Sequence, residues 1–313
     1  RVVGMNLEEG TLCALSGCTA VGKTALALNW AEANDAEIVS CDSLLCYRGL
    51  DIGTAKPNQE ELGRVQHHLI DIWNANEAMD IGDYVKLAIA AVEDIRSRGK
   101  RVLVTGGSGF YLKAFFGPVV DAVEVSPAVR EQVSEIEAGA GLGGMVQKLE
   151  ELDPNCRNEV DTENGRRVIR ALERCLETGK SIGQLKAEFA AQSNLLTAAP
   201  KRLVVLNRDR DRLNERIAMR VSEMLKNGLI DEVQRLKADG FESNASASGS
   251  IGYRETLAYL RGDYDLTELE TTIATNTRRL AKKQRTWFRT QLPQGKAIDL
   301  DQSDPNLVDT LFI

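Results

Sequence analysis

The chain has 313 residues, of which 43% are hydrophobic and 27% are charged, and its formal net charge is −7. This composition indicates a folded globular protein with room for one large domain and a smaller one, and it excludes fibrous and low-complexity classes. The sequence contains no apolar run of about eighteen residues, and its first residues lack the apolar segment of a secretion signal. We therefore expect a cytoplasmic protein that does not span a membrane.

The cysteines are scattered and form no C-x-x-C pair, and His67 and His68 are the only histidines. This pattern cannot be assembled into a zinc site and is typical of free thiols in a reducing compartment. The acidic net charge argues weakly against a nucleic-acid partner, because neutralising phosphates needs lysine and arginine. The distribution of charge along the chain therefore has to be considered.

A glycine-rich turn near the N-terminus follows an apolar run and precedes a run of helix-forming residues. Residues 17–24 read GCTAVGKT and match G-x-x-x-x-G-K-[ST] in full. In such a loop the backbone N–H groups and the helix N-terminus surround a phosphate, the lysine adds a charge, and the last hydroxyl binds Mg²⁺. The predicted diphosphate-binding residues are Gly17, Thr19, Ala20, Val21, Gly22, Lys23 and Thr24.

Residues 36–41 read as a second buried strand that ends at Asp42 and Ser43. Ligands of open parallel sheets bind outside the carboxyl ends of the strands, so Asp42 is a candidate for metal binding or for general-base catalysis. A helix N-cap is the structural alternative for this aspartate.

A third strand is predicted at residues 101–105, and it leads into a turn of Gly106, Gly107 and Ser108. Phosphoryl-transfer enzymes with a phosphate loop often carry a Walker-B aspartate at this place, and this chain does not. Ser108 could donate a hydrogen bond to a phosphate or a substrate, and a plain turn is an equally good interpretation.

Residues 118–197 contain short helical stretches and no buried strand, and they read as an all-helical insertion. A fourth strand at 201–206 resumes the sheet. The predicted fold is therefore an α/β P-loop NTPase-like parallel sheet flanked by helices, with a core of residues 1–117 and 198–313. In the insertion Arg166, Arg167 and Arg170 recur at helical spacing, which suits a solvated face or contact with a phosphate backbone.

Two further cationic segments follow the fourth strand. Arg216 and Arg220 lie four residues apart on one helical face and could clamp a diphosphate. Residues 277–289 hold six basic residues and no acid, and Arg278, Lys282, Arg285 and Arg289 form one helical edge. A local basic excess on an acidic protein favours a nucleic-acid contact, and a solvated helix is the alternative.

These parts fit two classes of function. A small-molecule kinase would hold ATP in the loop. A transferase would hold a diphosphate there as the leaving group and would bind a nucleic acid with its basic segments.

The order and wording of the motifs resemble those of the tRNA dimethylallyltransferases over nearly the whole chain. Seven segments carry the resemblance: residues 17–24 (GCTAVGKT), 42–43 (DS), 47–57 (YRGLDIGTAKP), 67–71 (HHLID), 106–108 (GGS), 251–254 (IGYR) and 282–289 (KKQRTWFR). The resemblance implies transfer of a dimethylallyl group from its diphosphate to the exocyclic amine of the adenosine 3′ of the tRNA anticodon. An adenylate isopentenyltransferase, which modifies a free nucleotide, is the nearest alternative.

The resemblance also implies roles for residues at matching positions. Asp42 matches the general base of the family, and Arg220 matches its diphosphate-binding arginine. Ser108 matches a position where the family usually has the hydroxyl of a threonine. Thr24 matches the Mg²⁺ ligand. The anticodon stem-loop would be bound by Asp42, Ser43, Leu44, Leu45, Arg166, Arg167, Arg170, Gly252, Tyr253, Arg254, Lys282, Lys283, Gln284, Arg285, Trp287 and Arg289. The implied partners are tRNA and dimethylallyl diphosphate, and we expect a monomer.

The sequence departs from the family pattern at several of these positions. The usual Pro and Ser of the loop are Cys18 and Val21, and the usual Gln is Leu45. Leu45 cannot make the hydrogen bonds of a glutamine. In the insertion, Gly165 precedes Arg166 and Arg167 where a Gln-Arg pair is usual.

Overall fold

The computed structural model of the chain describes residues 7–304 and 306–313. Residues 1–6 lie outside the described residues. The predicted core of residues 1–117 and the predicted lack of a secretion signal both include them. The described chain divides into two compact units. The core unit runs up to Phe116 and resumes at Leu195, and the helical unit is Gly117–Asn194.

A six-stranded sheet forms the centre of the core unit, with the strand order β3-β2-β4-β1-β5-β6. Every neighbouring pair is parallel. The strands are β1 Leu12–Gly17, β2 Ala36–Ser40, β3 His67–His68, β4 Arg101–Gly106, β5 Lys201–Asn207 and β6 Lys296–Asp299. β1 and β2 are buried along their whole length, as expected for inner strands of a parallel sheet covered on both faces.

The helices of the core unit pack around this sheet, and four further helices form the helical unit. They are α1 Lys23–Ala33, α2 Gln59–Arg64, α3 Ile81–Ser97, α4 Gly109–Lys113, α5 Pro127–Leu152, α6 Cys156–Glu159, α7 Gly165–Thr178, α8 Ile182–Ala190, α9 Leu195–Ala198, α10 Arg210–Lys226, α11 Leu229–Ala238, α12 Ala245–Ser248, α13 Tyr253–Leu260, α14 Leu266–Gln291 and α15 Leu307–Thr310, with a 3-10 helix at Phe241–Ser243.

Local sequence explains where the two long cationic helices of the core unit begin. Asp209 caps α10 by accepting hydrogen bonds from the backbone N–H groups of Asp211 and Arg212. α14 starts with a capping box, in which Asp265 and Glu268 each accept from the other's backbone N–H. Such caps satisfy N–H groups that have no partner inside the helix.

The hydrophobic core of this unit lies between the sheet and its helices. Trp30 of α1 is fully buried, and its ring meets that of Phe312 at 4.8 Å between centroids. All six cysteines are free and buried, which agrees with the expected free thiols. Burial raises the pKa of Cys13 to about 12, so this thiol is unreactive at neutral pH.

The helical unit has a core of its own, to which Val133, Leu149 and Leu172 contribute. α5 is interrupted at Gly141, where φ is 61°, a conformation that favours glycine. Residues 117–194 contain no strand.

The structure confirms the predicted α/β fold class with its parallel sheet. The strands predicted at 36–41, 101–105 and 201–206 appear as β2, β4 and β5. The sequence did not predict β3, which has two residues, or the edge strand β6. No helix among the described residues is long and apolar enough to cross a membrane.

Candidate active site

The turn between β1 and α1 requires glycine at two positions. A Cβ on Gly17 would lie 2.8 Å from the carbonyl oxygen of Leu206 on the neighbouring strand. Gly22, the N-cap of α1, has φ 114°, a backbone conformation that other residues rarely adopt. The loop therefore closes tightly over the carboxyl end of β1, with the N-terminus of α1 at its end.

Lys23 is the first residue of α1, and its side chain folds back over the loop. Its Nζ donates to the carbonyl oxygens of Gly17 at 2.8 Å and Cys18 at 2.9 Å. Burial lowers the pKa of Lys23, while the negative charge of Asp42 opposes this shift. A half-buried ammonium group in the lining of the pocket attracts an anion more strongly than one in bulk water, because its surroundings screen the charge less.

Two arginines of α10 reach the loop and its surroundings. Arg216 Nε donates to the carbonyl oxygen of Ala20 at 2.8 Å. Arg220 donates to the hydroxyl of Thr19 at 3.5 Å and to the carbonyl oxygen of Thr54 at 3.0 Å. Burial lowers the pKa of the Arg220 guanidinium, which still remains charged because an arginine pKa is very high. The loop is therefore flanked by fixed positive charge from α10.

Asp42 lies directly beyond the carboxyl end of β2, and Ser108 directly beyond β4. Asp42 Oδ1 accepts from the backbone N–H of Leu44 at 3.0 Å, so the aspartate caps a turn and not a helix. Ser108 Oγ accepts from the backbone N–H of Ser43 at 3.0 Å and donates to the hydroxyl of Ser43 at 3.2 Å. Ser108 thus fixes the segment that follows Asp42.

Two side chains of α14 also contact these loops. Gln284 accepts from the backbone N–H of Thr19 at 2.9 Å and donates to the carbonyl oxygen of Gly107 at 2.8 Å. Trp287 covers Gly109 so closely that a Cβ there would lie 2.4 Å from the indole ring. α14 is therefore joined to both the phosphate loop and the turn after β4.

These elements surround one large pocket of about 1,110 Å³ in the core unit. Lys23, Thr24, Asp42 and Arg220 line it, together with Trp287 from α14. Exposed apolar side chains also lie at its walls, notably Phe110 and Met219. The pocket can hold a diphosphate next to an apolar group, and it also contains the carboxylate of Asp42.

Comparisons with known proteins agree on one family. Residues 45–291 match the IPP transferase family. The chain is 54% identical to a tRNA dimethylallyltransferase from Opitutus terrae over 292 residues, which are 93% of this chain and 94% of the relative. The chain belongs to the IPP transferase family. The resemblance drawn from the motifs is thereby confirmed.

Solved structures give the same assignment. A full-length tRNA isopentenylpyrophosphate transferase from Bacillus halodurans is similar with a TM-score of 0.70 and 31% identity, covering 97% of this chain and 95% of that one. A eukaryotic dimethylallyltransferase acting on tRNA has a TM-score of 0.85 at 24% identity, and it covers 97% of this chain and 78% of that one. The second similarity shows a shared fold.

In this IPP transferase, many of the residues predicted for the site line the one pocket. They are Thr19, Ala20, Gly22, Lys23, Thr24, Asp42, Ser43, Leu44, Leu45, Ser108, Arg220, Gly252, Lys283, Gln284 and Trp287. Gly17 and Val21 shape the loop from behind, since Val21 is fully buried and Gly17 abuts Leu206. The structure therefore groups most of the predicted catalytic and diphosphate-binding residues in one place.

The basic edge predicted on α14 is present. Arg278, Lys282, Arg285 and Arg289 are all exposed, whereas the neighbouring Phe288 is buried. Within residues 7–304 and 306–313, none of these four cations forms an ion pair with a carboxylate. Their charge is therefore available to a solvent-borne anion.

The position of Tyr253 differs from what an RNA-contacting role requires. Its side chain is 0% exposed, and its hydroxyl donates to Glu232 at 2.8 Å. Arg254 is half-exposed and pairs with Glu255 at 2.7 Å. Arg254 therefore offers side-chain surface to a nucleic acid, and Tyr253 does not.

In the helical unit, the three predicted RNA-binding arginines lie on α7 and are exposed. Arg167 pairs with Asp161 at 3.2 Å and Arg170 with Glu173 at 3.1 Å. These neighbouring acids reduce the positive potential of the α7 surface relative to that of unpaired arginines.

The hydroxyl predicted to bind a metal ion is that of Thr24, which is an exposed residue in the lining of the pocket. A hydroxyl together with diphosphate oxygens and water suits Mg²⁺, which favours oxygen ligands and retains several waters. The residues present therefore fit a magnesium ion held largely by its substrate.

A second group of possible ligands, Glu37, His68 and Asp94, is not among the described residues that line the pocket. Glu37 also accepts from Arg98 at 2.7 Å and from Lys100 at 3.2 Å, and the Arg98 hydrogen bonds help to lower the pKa of Glu37 to about 2. The side chains of Arg98 and Lys100 already neutralise this carboxylate, so the group forms an ionic network at the edge of the sheet.

Sequence reasoning missed several residues that shape the site. Arg208 donates to the carbonyl oxygen of Val21 at 3.2 Å and pairs with Asp301 at 2.6 Å, and it buttresses the phosphate loop. Glu232 holds the segment that carries Thr54. Arg208 is a single arginine beside Asp209, and no local pattern indicated its contact with the loop or the burial of Glu232.

Proposed function

We propose that this chain transfers the dimethylallyl group of dimethylallyl diphosphate to the exocyclic amine of the adenosine 3′ of the tRNA anticodon, giving isopentenyladenosine and diphosphate. The observation that carries this proposal is that Lys23 of the phosphate loop, Arg220 of α10 and Asp42 all line one large pocket of the core unit. The family assignment and the exposed basic edge of α14 support the same substrates.

The diphosphate would bind at residues 17–24. There the backbone N–H groups of the loop, the α1 N-terminus, Lys23 and Arg220 would neutralise the negative charge that grows on the departing oxygen. Mg²⁺ at the Thr24 hydroxyl would supply further positive charge to the diphosphate when bound. The allylic carbon–oxygen bond then breaks more easily.

The acceptor nitrogen is a weak nucleophile, because its lone pair is delocalised into the adenine ring. Asp42 would accept the proton that this nitrogen loses as the carbon–nitrogen bond forms. Ser108 and Ser43 would hold the segment after Asp42 in place through their hydrogen bonds. The adenine must leave its stack to enter the pocket, as other bases do in enzymes that modify them.

The tRNA would bind along the basic edge of α14, with Lys283 and Trp287 at the mouth of the pocket, and through the exposed arginines of α7. Phosphate contacts by exposed lysine and arginine position a nucleic acid without reading its sequence. We further propose that the enzyme is a cytoplasmic monomer.

Two other functions are less well supported. An adenylate isopentenyltransferase would not need the unpaired basic edge of α14. A small-molecule kinase would usually need a Walker-B carboxylate after β4, where this chain has Gly106, Gly107 and Ser108.

One assay separates these possibilities. Radiolabelled dimethylallyl diphosphate is offered in parallel with bulk tRNA, AMP and ATP. Label in tRNA is expected. Label transferred mainly to AMP or ATP would favour the free-nucleotide enzyme, and Lys23-dependent release of phosphate from ATP would favour the kinase.

A further inference from the structure

A carboxylate outside the pocket is buried against the loop that forms one pocket wall. Glu232 of α11 is 2% exposed. It accepts hydrogen bonds from the backbone N–H groups of Asp51 at 3.1 Å, Ile52 at 2.7 Å and Gly53 at 3.2 Å. Three successive amides facing one anion form an anion-binding nest, here occupied by the protein's own side chain.

Tyr253 completes this arrangement. Its hydroxyl donates to Glu232 Oε1 at 2.8 Å. Burial and the neighbouring Glu232 charge raise the pKa of Tyr253, so the phenol stays protonated and keeps donating. A Cβ on Gly53 would lie 2.6 Å from the tyrosine ring, so only glycine fits against the ring.

The loop that Glu232 holds ends at a direct contact with the diphosphate-binding arginine. Thr54 follows Gly53, and its carbonyl oxygen accepts from Arg220 at 3.0 Å. The Thr54 hydroxyl also donates to the carbonyl oxygen of Leu50 at 2.6 Å. Glu232 therefore holds the three residues directly before Thr54, and the Thr54 carbonyl in turn holds one edge of the guanidinium.

We propose that Glu232, with Tyr253, is a positioning residue for the diphosphate site, acting through residues 51–54 on Arg220. This inference rests on the proposed function, because it assigns Arg220 to the diphosphate. It also assigns the Ile251–Arg254 segment a role other than RNA contact, since Tyr253 is buried against Gly53 of this loop. A guanidinium that is held in place before the ligand arrives loses less freedom on binding.

The test measures the affinity of the full-length protein for dimethylallyl diphosphate without tRNA, so that no turnover occurs. The variants are Glu232→Gln, Arg220→Ala and the double mutant, with Tyr253→Phe as a milder change. Glu232→Gln is expected to weaken binding about tenfold, the scale of one hydrogen bond to a charged group, and Tyr253→Phe about threefold.

The double-mutant cycle is the decisive comparison. If Glu232 acts through Arg220, then Glu232→Gln should change the affinity less than about twofold once Arg220 is alanine. The affinity for tRNA should stay unchanged in all four proteins. Additive effects in the cycle would overturn the inference.

Glu37→Gln is the matched control, because Glu37 is also a 2% exposed glutamate and is not among the described residues that line the pocket. It should leave diphosphate affinity unchanged, and an equal loss in this control would overturn the inference by showing a general effect of destabilisation.

If Glu232→Gln does not fold, Tyr253→Phe takes its place in the cycle. Failure of the wild type to bind dimethylallyl diphosphate would instead overturn the proposed function and the inference with it.

Discussion

α10 and α14 are both cationic helices of the core unit, and their arginines recur at similar spacing, but their surroundings differ. Arg216 and Arg220 of α10 donate to the phosphate loop and its neighbour, and burial lowers the pKa of Arg220. The basic edge of α14 is exposed and, within the described residues, unpaired. Spacing predicts a cationic face, but the contacts of its side chains decide which anion that face suits.

The difference has a physical consequence. The half-buried guanidinium of Arg220, which lines the pocket, acts at short range on a compact anion, and salt screens it less than it screens an exposed charge. Exposed cations act on an extended polyanion and release counterions, so their contribution falls steeply with salt. We therefore expect the two helices to control the affinities of two different ligands.

The largest expected effect belongs to neither helix. Asp42→Asn should leave the affinities for dimethylallyl diphosphate and tRNA largely intact, while the single-turnover rate falls by about two orders of magnitude or more, the scale of general-base loss. Rapid-quench measurements with labelled diphosphate would test this. Near-normal turnover would remove Asp42 from the base role.

The second-largest expected effect tests the role of α10 in diphosphate binding. Arg220→Ala should weaken dimethylallyl diphosphate binding by about 30-fold, since removing one partner of a buried charge interaction is costly. Binding of tRNA should be unchanged. Calorimetry at two salt concentrations would measure both, and a loss confined to tRNA affinity would contradict the division between the helices.

A smaller effect tests α14. Lys282→Ala/Arg285→Ala should flatten the slope of log tRNA affinity against log salt by about one to two units. Arg64→Ala/Lys148→Ala is a suitable control, because both residues lie in ion pairs with neighbouring acids. A slope that the α14 change leaves unaltered would mean that this edge is only a solvated surface.

The smallest effect concerns α7 of the helical unit. Arg166 is exposed, whereas Arg170 pairs with Glu173. Arg166→Ala should reduce the salt slope by less than about one unit, and Arg170→Ala by less again, because Glu173 already offsets its charge. The two variants are compared in one filter-binding series. A larger effect of Arg170→Ala would show that its ion pair opens on binding.

Sequence patterns predicted the parts of the molecule whose signals are local. The loop at 17–24 has a fixed spacing, and β2, β4 and β5 each contain consecutive valine, isoleucine or leucine residues. β3 is too short for any pattern, and β6 has one buried residue, Ile298. The fold class could therefore be predicted, but the edges of the sheet could not.

The candidate site was predictable to a similar degree. Motif order grouped Lys23, Asp42 and Ser108, which the sheet topology places at the carboxyl ends of neighbouring strands. The contacts of Glu232 with residues 51–53 and those of Gln284 cross more than 170 residues of sequence, as with the 177 between Gln284 and Gly107. Nothing in the sequence near such residues shows which partner they meet.

One measurement tests the division between the two helices most directly. The affinities for dimethylallyl diphosphate and for tRNA are determined across several salt concentrations in the wild type, in Arg216→Ala/Arg220→Ala and in Lys282→Ala/Arg285→Ala. We predict that the α10 variant loses diphosphate affinity at every salt concentration and keeps the tRNA slope. The α14 variant should keep diphosphate affinity and lose about one to two units of tRNA slope. Variants that weaken both ligands alike would contradict the assignment of separate ligands to the two helices.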